Sequence, residues 1–247
     1  MLKLESFQRI LPAFDKSSML VKDYELLEML YPFIGGVKIG LEAINAPMPD
    51  HSMHVGDNLR KFVQTRAVPV MWDVKLNDIP NTVGGAVANI TRKRVWGITV
   101  MASAGIDAVR AAVAKRADAN IIGVTVLTSM SPEECKAIYG RIPTAQVSYF
   151  AETLFEAGAQ AIVCSPLELE VVRKTIGDKL FCITPGIRRK DAPADDQNRT
   201  MSAGDAIKAG ADYLVIGRPI MGAEDPAGAA RAFCDEIAAA SANLSMV

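Results

Sequence analysis

Two carboxylates and an ammonium group stand close together after an apolar stretch of the chain. Asp73 and Lys75 follow the run 67–72, which reads Ala-Val-Pro-Val-Met-Trp, and Asp78 comes three residues after Lys75. Because side chains alternate along a strand, Asp73 and Lys75 point to the same face. Burying such groups is costly unless they pair or meet a charged partner. The spacing therefore predicts a site where an acid and a base handle a charged group.

The rest of the sequence indicates which elements would position these groups. Short runs rich in Val and Ile recur along the chain, and stretches with helical periodicity, such as 24–30 and 104–114, separate them. Eight strands that alternate with helices over 247 residues are typical of a (β/α)8 TIM barrel, here a single domain over residues 1–247. The predicted strands are 10–14, 36–39, 68–74, 97–101, 120–126, 161–164, 180–183 and 213–216.

In such a barrel the working face lies at the carboxyl ends of the strands. Nearly every predicted strand brings a polar side chain to that rim. The loops after strands seven and eight carry Arg188, Gly217 and Arg218, a set that suits a phosphate group. The polar stretch 188–199 follows strand seven and is predicted to be a lid or a binding loop. The polar rim residues are Asp15, Lys38, Asp73, Lys75, Asp78, Thr128, Ser129, Ser165, Thr184, Arg188 and Arg218.

Composition narrows the class of protein. The chain is 50% hydrophobic and 22% charged, with a formal net charge of -1, so no basic field suggests a nucleic-acid partner. No run reaches the roughly 20 apolar residues that span a bilayer, and the amino-terminal segment lacks the pattern of a secretion signal. The four cysteines are scattered, without a Cys-x-x-Cys pair. We therefore expect a cytoplasmic protein with no membrane partner.

Seven segments resemble, in order, the motifs of the orotidine 5'-phosphate decarboxylase family. The most specific is 73–82, which reads Asp-Val-Lys-Leu-Asn-Asp-Ile-Pro-Asn-Thr. Related phosphosugar enzymes of the same superfamily share only Asp-x-Lys-x-x-Asp there, so the Ile-Pro-Asn-Thr extension favours the decarboxylases. The other segments are 13–15, 37–40, 124–129, 163–166, 184–188 and 215–220.

The resemblance implies a reaction and a role for each charged residue. The family converts orotidine 5'-phosphate to uridine 5'-phosphate and carbon dioxide, the last step of de novo UMP synthesis, without a metal or an organic cofactor. Lys75 matches the lysine that protonates C6 of the pyrimidine. Asp73 matches the carboxylate that lies against the substrate's own carboxylate, and Lys38 and Asp78 complete an alternating catalytic array of four charges.

The resemblance also implies a substrate-binding set and a partner subunit. Asp78 and Thr82 would reach into the neighbour's site, which predicts an obligate homodimer. Asp15 and Lys38 would bind the ribose hydroxyls, and Thr128 and Ser129 would lie near the pyrimidine. The phosphate would be held by Arg188, Gln197, Gly217 and Arg218. The complete expected substrate-binding set is Asp15, Lys38, Asp73, Ile79, Thr82, Thr128, Ser129, Pro185, Arg188, Gln197, Gly217 and Arg218.

Two positions depart from the family pattern. Met101 stands where many members have His, and Trp72 stands where an aliphatic residue is common. Neither position carries a charge of the array. We expect altered packing at both, with Trp72 facing the surrounding helices because it is one residue out of phase with Asp73.

Other interpretations remain open from the sequence. The charges could form a structural ion-pair network, or the chain could be a metal-dependent phosphosugar decarboxylase or aldolase of the same superfamily. It could also be a sensor that binds a nucleotide phosphate without turning it over. His51 and His54 have a spacing that could bind metal on a helix, but no carboxylate cluster accompanies them, so we interpret them as solvated loop residues.

Overall fold

Eight parallel strands close into a barrel in which each strand pairs with the next and the last pairs with the first. The computed structural model describes residues 4–15, 19–45, 67–93, 95–189 and 200–244. The predicted (β/α)8 barrel is therefore confirmed. The strands are β1 (Ile10–Phe14), β2 (Val37–Ile39), β3 (Val70–Leu76), β4 (Gly97–Met101), β5 (Asn120–Val124), β6 (Ala161–Val163), β7 (Phe181–Thr184) and β8 (Tyr213–Ile216).

All eight predicted strands exist, but several of their ends were wrong. Strand β3 continues to Leu76, two residues beyond the predicted end, because Leu76 still pairs with Val100 after a break in register. Strands β5 and β6 end earlier than predicted, at Val124 and Val163, because apolar sequence continues past the last paired residue. Strands β2, β3 and β7 begin one or two residues later than predicted, and β7 ends one residue later, at Thr184.

Helices follow the strands and cover the outside of the barrel. Several begin at Pro80, Pro132 or Pro143, whose fixed φ and missing N–H suit the first helical turn. They are α1 (Met19–Leu30), α2 (Leu41–Ile44), α3 (Pro80–Thr91), α4 (Ile106–Lys115), α5 (Pro132–Tyr139), α6 (Pro143–Glu156), α7 (Leu169–Ile176), α8 (Ala203–Lys208), α9 (Arg218–Met221) and α10 (Pro226–Leu244). Within the described ranges, none of them has the length and apolar character needed to cross a membrane.

Two apolar clusters follow from the alternation of side chains along the strands. The larger one lies between barrel and helices, and the smaller one fills the barrel interior. Ile121 and Ile122 are neighbours in β5, yet one belongs to the outer cluster and the other to the inner cluster. The inner cluster contains Leu11, Ala13, Met71, Ile122, Ala161, Ile183 and Val215.

Aromatic side chains close the amino-terminal end of the barrel. Trp96, which precedes β4, meets Tyr213 of β8 edge to face, with ring centroids 5.2 Å apart. Phe181 of β7 contacts the same tyrosine at 5.9 Å. Such edge-to-face pairs stabilise the fold by more than the burial of their apolar surface alone. The interior is thus apolar at its base, and the polar residues lie toward the opposite end.

The close approach of β5 to α6 yields a stability prediction. A Cβ atom on Gly123 would lie 2.1 Å from Cδ2 of the buried Leu154, so Gly123→Ala overpacks this interface. We expect it to lower the free energy of unfolding by about 1–3 kcal/mol, measured by urea denaturation.

The matched control is Gly85→Ala in α3, where an added Cβ meets nothing within 4 Å. Because alanine favours helices, this change should raise stability by up to about 1 kcal/mol. Equal effects of the two substitutions would contradict the proposed tight packing at Gly123.

Candidate active site

Strand β3 departs from regular pairing where the charged residues lie. Trp72 pairs with Ile98 and Leu76 pairs with Val100, so four steps along β3 oppose two steps along β4. Lys75 lies within this irregularity and has a φ of 48°, in the left-handed region that residues other than glycine rarely adopt. Such a conformation persists only where the surroundings hold it, and it is common at functional sites.

Asp73 forms the centre of a chain of ion pairs. Lys75 Nζ donates to both carboxylate oxygens of Asp73, at 2.9 Å each. Lys38 Nζ lies 3.2 Å from Asp73 Oδ2 and 2.5 Å from Asp15 Oδ1. The order Asp15–Lys38–Asp73–Lys75 thus alternates in charge across β1, β2 and β3. Four of the residues that the sequence singled out are in direct contact.

Burial differs along this chain of charges. The side chains of Lys38 and Asp73 are 10% and 9% exposed, whereas that of Lys75 is 33% exposed. Met71 belongs to the inner cluster and lies two residues before Asp73, so Asp73 points into the barrel above the apolar base. The array is therefore anchored inside the barrel, and Lys75 is its accessible ammonium group.

The pKa of Asp73 reflects two opposing effects. Burial acts to raise the pKa, because a carboxylate loses its hydration. The positive charges of Lys38 and Lys75, together with their hydrogen bonds, act in the opposite direction and prevail, so the pKa lies below the ordinary value. Asp73 is ionised at neutral pH.

Thr99 also belongs to this site, and the sequence analysis missed it. Its side chain is completely buried in β4, and its hydroxyl donates to Asp73 Oδ1 at 3.0 Å. Thr99 Oγ1 in turn accepts a hydrogen bond from the backbone N–H of Lys75 at 2.8 Å. A signal was present, because threonine interrupts the apolar run Gly-Ile-Thr-Val-Met of a predicted strand.

Gly40 makes room for the outer end of the array. A Cβ atom there would lie 2.1 Å from Asp15 Oδ1 and 3.3 Å from Lys38 Nζ. A larger residue would therefore have to displace the Asp15 carboxylate from its lysine. This close approach explains why residue 40, which follows β2, is a glycine.

Asp78, Ile79 and Thr82 lie apart from the array within one chain. All three are exposed at the start of α3, and Ile79 has 66% of its surface accessible. Asp78 Oδ1 accepts a hydrogen bond from the backbone N–H of Ile79 at 2.7 Å. Within the described residues Asp78 makes no ion pair, so a single chain does not complete the predicted array of four charges.

The residues expected to contact the rest of a nucleotide lie after other strands. Thr128 and Ser129 follow β5, Pro185 and Arg188 follow β7, and Gly217 precedes α9. Arg218 begins the short helix α9. The Arg188 backbone N–H donates to Met201 O at 3.0 Å, which ties together the two sides of the segment 190–199. Gln197 lies in that segment, outside the described residues. His51 and His54 also lie outside the described residues, in the range 46–66.

The two departures from the family pattern lie outside the charged array. Trp72 packs against the cluster between barrel and helices, and Lys93 Nζ lies 4.7 Å from the centre of its ring. The expectation that Trp72 faces the helices is confirmed. Met101 is buried at the end of β4.

The electrostatics of the array disfavour a cation. Both oxygens of Asp73 already face ammonium groups, and Asp15 faces Lys38. A divalent ion beside Asp73 would meet two positive charges. Among the parts of the chain that the structure describes, no three side chains of His, Cys, Asp or Glu converge in a metal-binding cluster.

The lowered pKa of Asp73 predicts a pH-dependent contribution to stability. A carboxyl group with a depressed folded-state pKa stabilises the fold above its unfolded pKa, and the contribution is lost as the pH falls through the folded value. Asp73→Asn removes the buried carboxylate partner of Lys38 and Lys75 and leaves Lys38 paired only with Asp15, whose side chain is 55% exposed, so we expect a loss of about 3 kcal/mol at neutral pH. The difference from wild type should be constant down to about pH 5 and shrink below about pH 4, as measured by urea unfolding.

Asp178→Asn is the control, because Asp178 pairs with Arg173 at 3.7 Å and its side chain is 75% exposed. It should change stability by less than about 1 kcal/mol. A deficit of Asp73→Asn that grows below pH 4 would be inconsistent with the assigned pKa direction.

Comparisons with known proteins agree on one family. A family model described as Orotidine 5'-phosphate decarboxylase / HUMPS family matches residues 11–233. The orotidine 5'-phosphate decarboxylase of Moorella thermoacetica is 36% identical, over 96% of this chain and 95% of the relative. The enzyme of that name from Thermobifida fusca is 38% identical, over 87% and 89%.

Solved structures agree with the sequence relatives. A crystal structure of orotidine 5'-phosphate decarboxylase from Lactobacillus acidophilus superposes with a TM-score of 0.74 at 26% identity. The match covers 92% of this chain and 98% of that one. The chain therefore belongs to the orotidine 5'-phosphate decarboxylase / HUMPS family.

Proposed function

We propose that this chain is a carboxy-lyase that converts orotidine 5'-phosphate to uridine 5'-phosphate and carbon dioxide, the last step of de novo UMP synthesis. The observation that carries the proposal is the alternating chain of ion pairs Asp15–Lys38–Asp73–Lys75, in which Lys38 and Asp73 are buried inside the barrel. The named relatives that match almost the whole chain support the same reaction.

The chemistry requires a cation and a proton donor at one carbon atom. When the bond between C6 and the carboxylate breaks, its electron pair remains on C6, which has no adjacent electron sink. The ammonium group of Lys75 can stabilise this developing charge and then transfer its proton to C6. Its partial exposure fits this role, because the group must reach a bound substrate.

Asp73 contributes a fixed negative charge beside the leaving carboxylate. Its lowered pKa keeps it ionised at neutral pH, so the carboxylate of the substrate would bind against a like charge. The repulsion is relieved as neutral carbon dioxide leaves. Lys38 and Lys75 hold Asp73 in this ionised state, and the reaction then needs no metal or organic cofactor.

The remaining residues would bind parts of the nucleotide away from C6. We assign Asp15 and Lys38 to the ribose hydroxyls and Thr128 and Ser129 to the pyrimidine. Contacts with the phosphate would let binding energy be used for catalysis. Arg188, Gln197, Gly217 and Arg218 form the proposed phosphate grip, and Ile79 and Pro185 complete the walls of the site.

We propose that the working form is a homodimer in which Asp78 and Thr82 enter the partner's site. Support comes from the exposed start of α3, where Asp78, Ile79 and Thr82 face outward. An apolar side chain as exposed as Ile79 beside a carboxylate suits a subunit contact. The four cysteines are free and buried, which agrees with a reducing compartment such as the cytoplasm.

The activity itself gives the first test. We expect wild-type protein to consume orotidine 5'-phosphate, followed by its absorbance, equally well with and without EDTA. Lys75→Ala removes both the stabilising cation and the proton donor, so kcat should fall by about 10⁴-fold or more.

Lys179→Ala is the matched control, because Lys179 precedes β7 at the other end of the barrel and its Nζ lies over the Phe155 ring. It should keep wild-type kcat. Activity that EDTA abolishes would favour the metal-dependent phosphosugar alternative. Binding without turnover by wild type would favour the sensor, and equal activity of wild type and Lys75→Ala would refute the assigned role.

Mixing two inactive variants tests the shared site. Lys75→Ala and Asp78→Ala should each be inactive as homodimers. If Asp78 acts across the interface, a mixed dimer has one site that carries both changes and one that carries neither. Random exchange of subunits should then restore about a quarter of wild-type activity. No recovery, after exchange is verified by mass spectrometry, would place Asp78 in the site of its own chain, and an active Asp78→Ala homodimer would exclude it from catalysis.

A further inference from the structure

We propose that Thr99 is a positioning residue for decarboxylation, which fixes the backbone of Lys75 and the carboxylate of Asp73 through one hydroxyl group. This inference rests on the proposed function, because it concerns the geometry of the same reaction. We assign Thr99 no direct contact with the substrate. It acts through the two residues that make such contact.

The irregular pairing of β3 creates the need for such a residue. Where Trp72 pairs with Ile98 and Leu76 with Val100, two extra residues of β3 have no partner in the ladder. Lys75 is held in a left-handed conformation at this point. This backbone could relax toward an ordinary strand conformation if nothing fixed it, and its side chain would then move with it.

The hydroxyl of Thr99 supplies the hydrogen-bond acceptor that the strand ladder does not provide for Lys75. The backbone N–H of Lys75 donates to Thr99 Oγ1 at 2.8 Å, in place of a strand carbonyl. Thr99 Oγ1 donates its own proton to Asp73 Oδ1 at 3.0 Å. The hydroxyl thus uses its donor and one acceptor position within the site, and its side chain is 0% exposed.

These contacts close a ring of hydrogen bonds around Lys75. Its backbone reaches Asp73 through Thr99, and its ammonium group reaches the same carboxylate directly at 2.9 Å. The backbone of Lys75, through Thr99, and its ammonium group, directly, are therefore both held by the Asp73 carboxylate. The ring fixes where Nζ stands relative to Asp73, and hence relative to C6 of a substrate whose carboxylate lies against Asp73.

A second buried threonine shows that this role is specific. Thr125, which follows β5, is also 0% exposed, and its hydroxyl donates to Val163 O at 2.9 Å. That carbonyl also accepts from the backbone N–H of Thr125. The Thr125 hydroxyl therefore supports a connection between strands and touches no member of the charged array.

The test compares three substitutions, of which the two threonine-to-valine changes are nearly isosteric. Thr99→Val removes the hydroxyl and keeps the shape, Thr99→Ser keeps the hydroxyl, and Thr125→Val is the matched control. We would measure kcat for orotidine 5'-phosphate and the equilibrium Kd for uridine 5'-phosphate. Thr99→Val should lower kcat by about 100-fold, because a small misplacement of a catalytic group has effects of this size. The Kd should change less than about twofold, since the product lacks the carboxylate that meets Asp73.

Serine and the control decide whether the hydroxyl is responsible. Thr99→Ser should keep kcat within about threefold of wild type, and Thr125→Val within about twofold. The proposal is overturned if Thr99→Val keeps kcat, if serine loses as much as valine, or if Thr125→Val loses as much as Thr99→Val. Failure of the proposed function would look different, because wild type itself would release no carbon dioxide.

Circular dichroism and thermal melting would establish that each variant folds. If Thr99→Val does not fold, Thr99→Cys replaces it, because a thiol is a weak donor and acceptor of similar size. Its kcat should then lie about tenfold or more below that of Thr99→Ser. Equal kcat values for cysteine and serine would overturn the proposal in that case.

Discussion

The site depends on one carboxylate that is buried between two ammonium groups. Removing Asp73 from water is costly, and the contacts with Lys38 and Lys75 offset that cost. The barrel makes this arrangement possible because β2 and β3 are neighbours, with Lys38 in register with Met71. Asp73 therefore lies one diagonal step from Lys38 on the inward face. Each charge stabilises its neighbour, and the two lysines lower the pKa of the buried Asp73 carboxyl group so that it stays ionised.

The fold separates stability from chemistry. Apolar side chains and the aromatic group at Trp96 and Tyr213 fill the interior toward the amino-terminal end, whereas the charges stand toward the other end. The backbone of β3 is regular at Met71, which packs in the apolar interior, and irregular at Lys75, which belongs to the charged site. The two regions are therefore only a few residues apart on one strand. The unusual conformation of Lys75 is stabilised by a buried hydroxyl from β4.

The sequence predicted the barrel because its strands are continuous apolar runs separated by helical periodicity, a local property of the chain. It also singled out Asp73 and Lys75, because charges in such a run need an explanation. The left-handed backbone of Lys75 could not be predicted, since it arises from the pairing of β3 with β4. The role of Thr99 depends on that same pairing. The ends of β5 and β6 were misplaced because hydrophobicity continues beyond the last ladder partner.

The ionisation of Asp73 is the property that the mechanism requires most directly, and carbon-13 NMR can measure it. The carboxyl resonance would be assigned by its loss in Asp73→Asn and followed during an acid titration. We predict that the carboxyl group stays ionised through neutral pH and titrates below the ordinary value of 3.8. A midpoint above 3.8 would show that burial outweighs the two lysines, and it would contradict the role of Asp73 as a fixed negative charge.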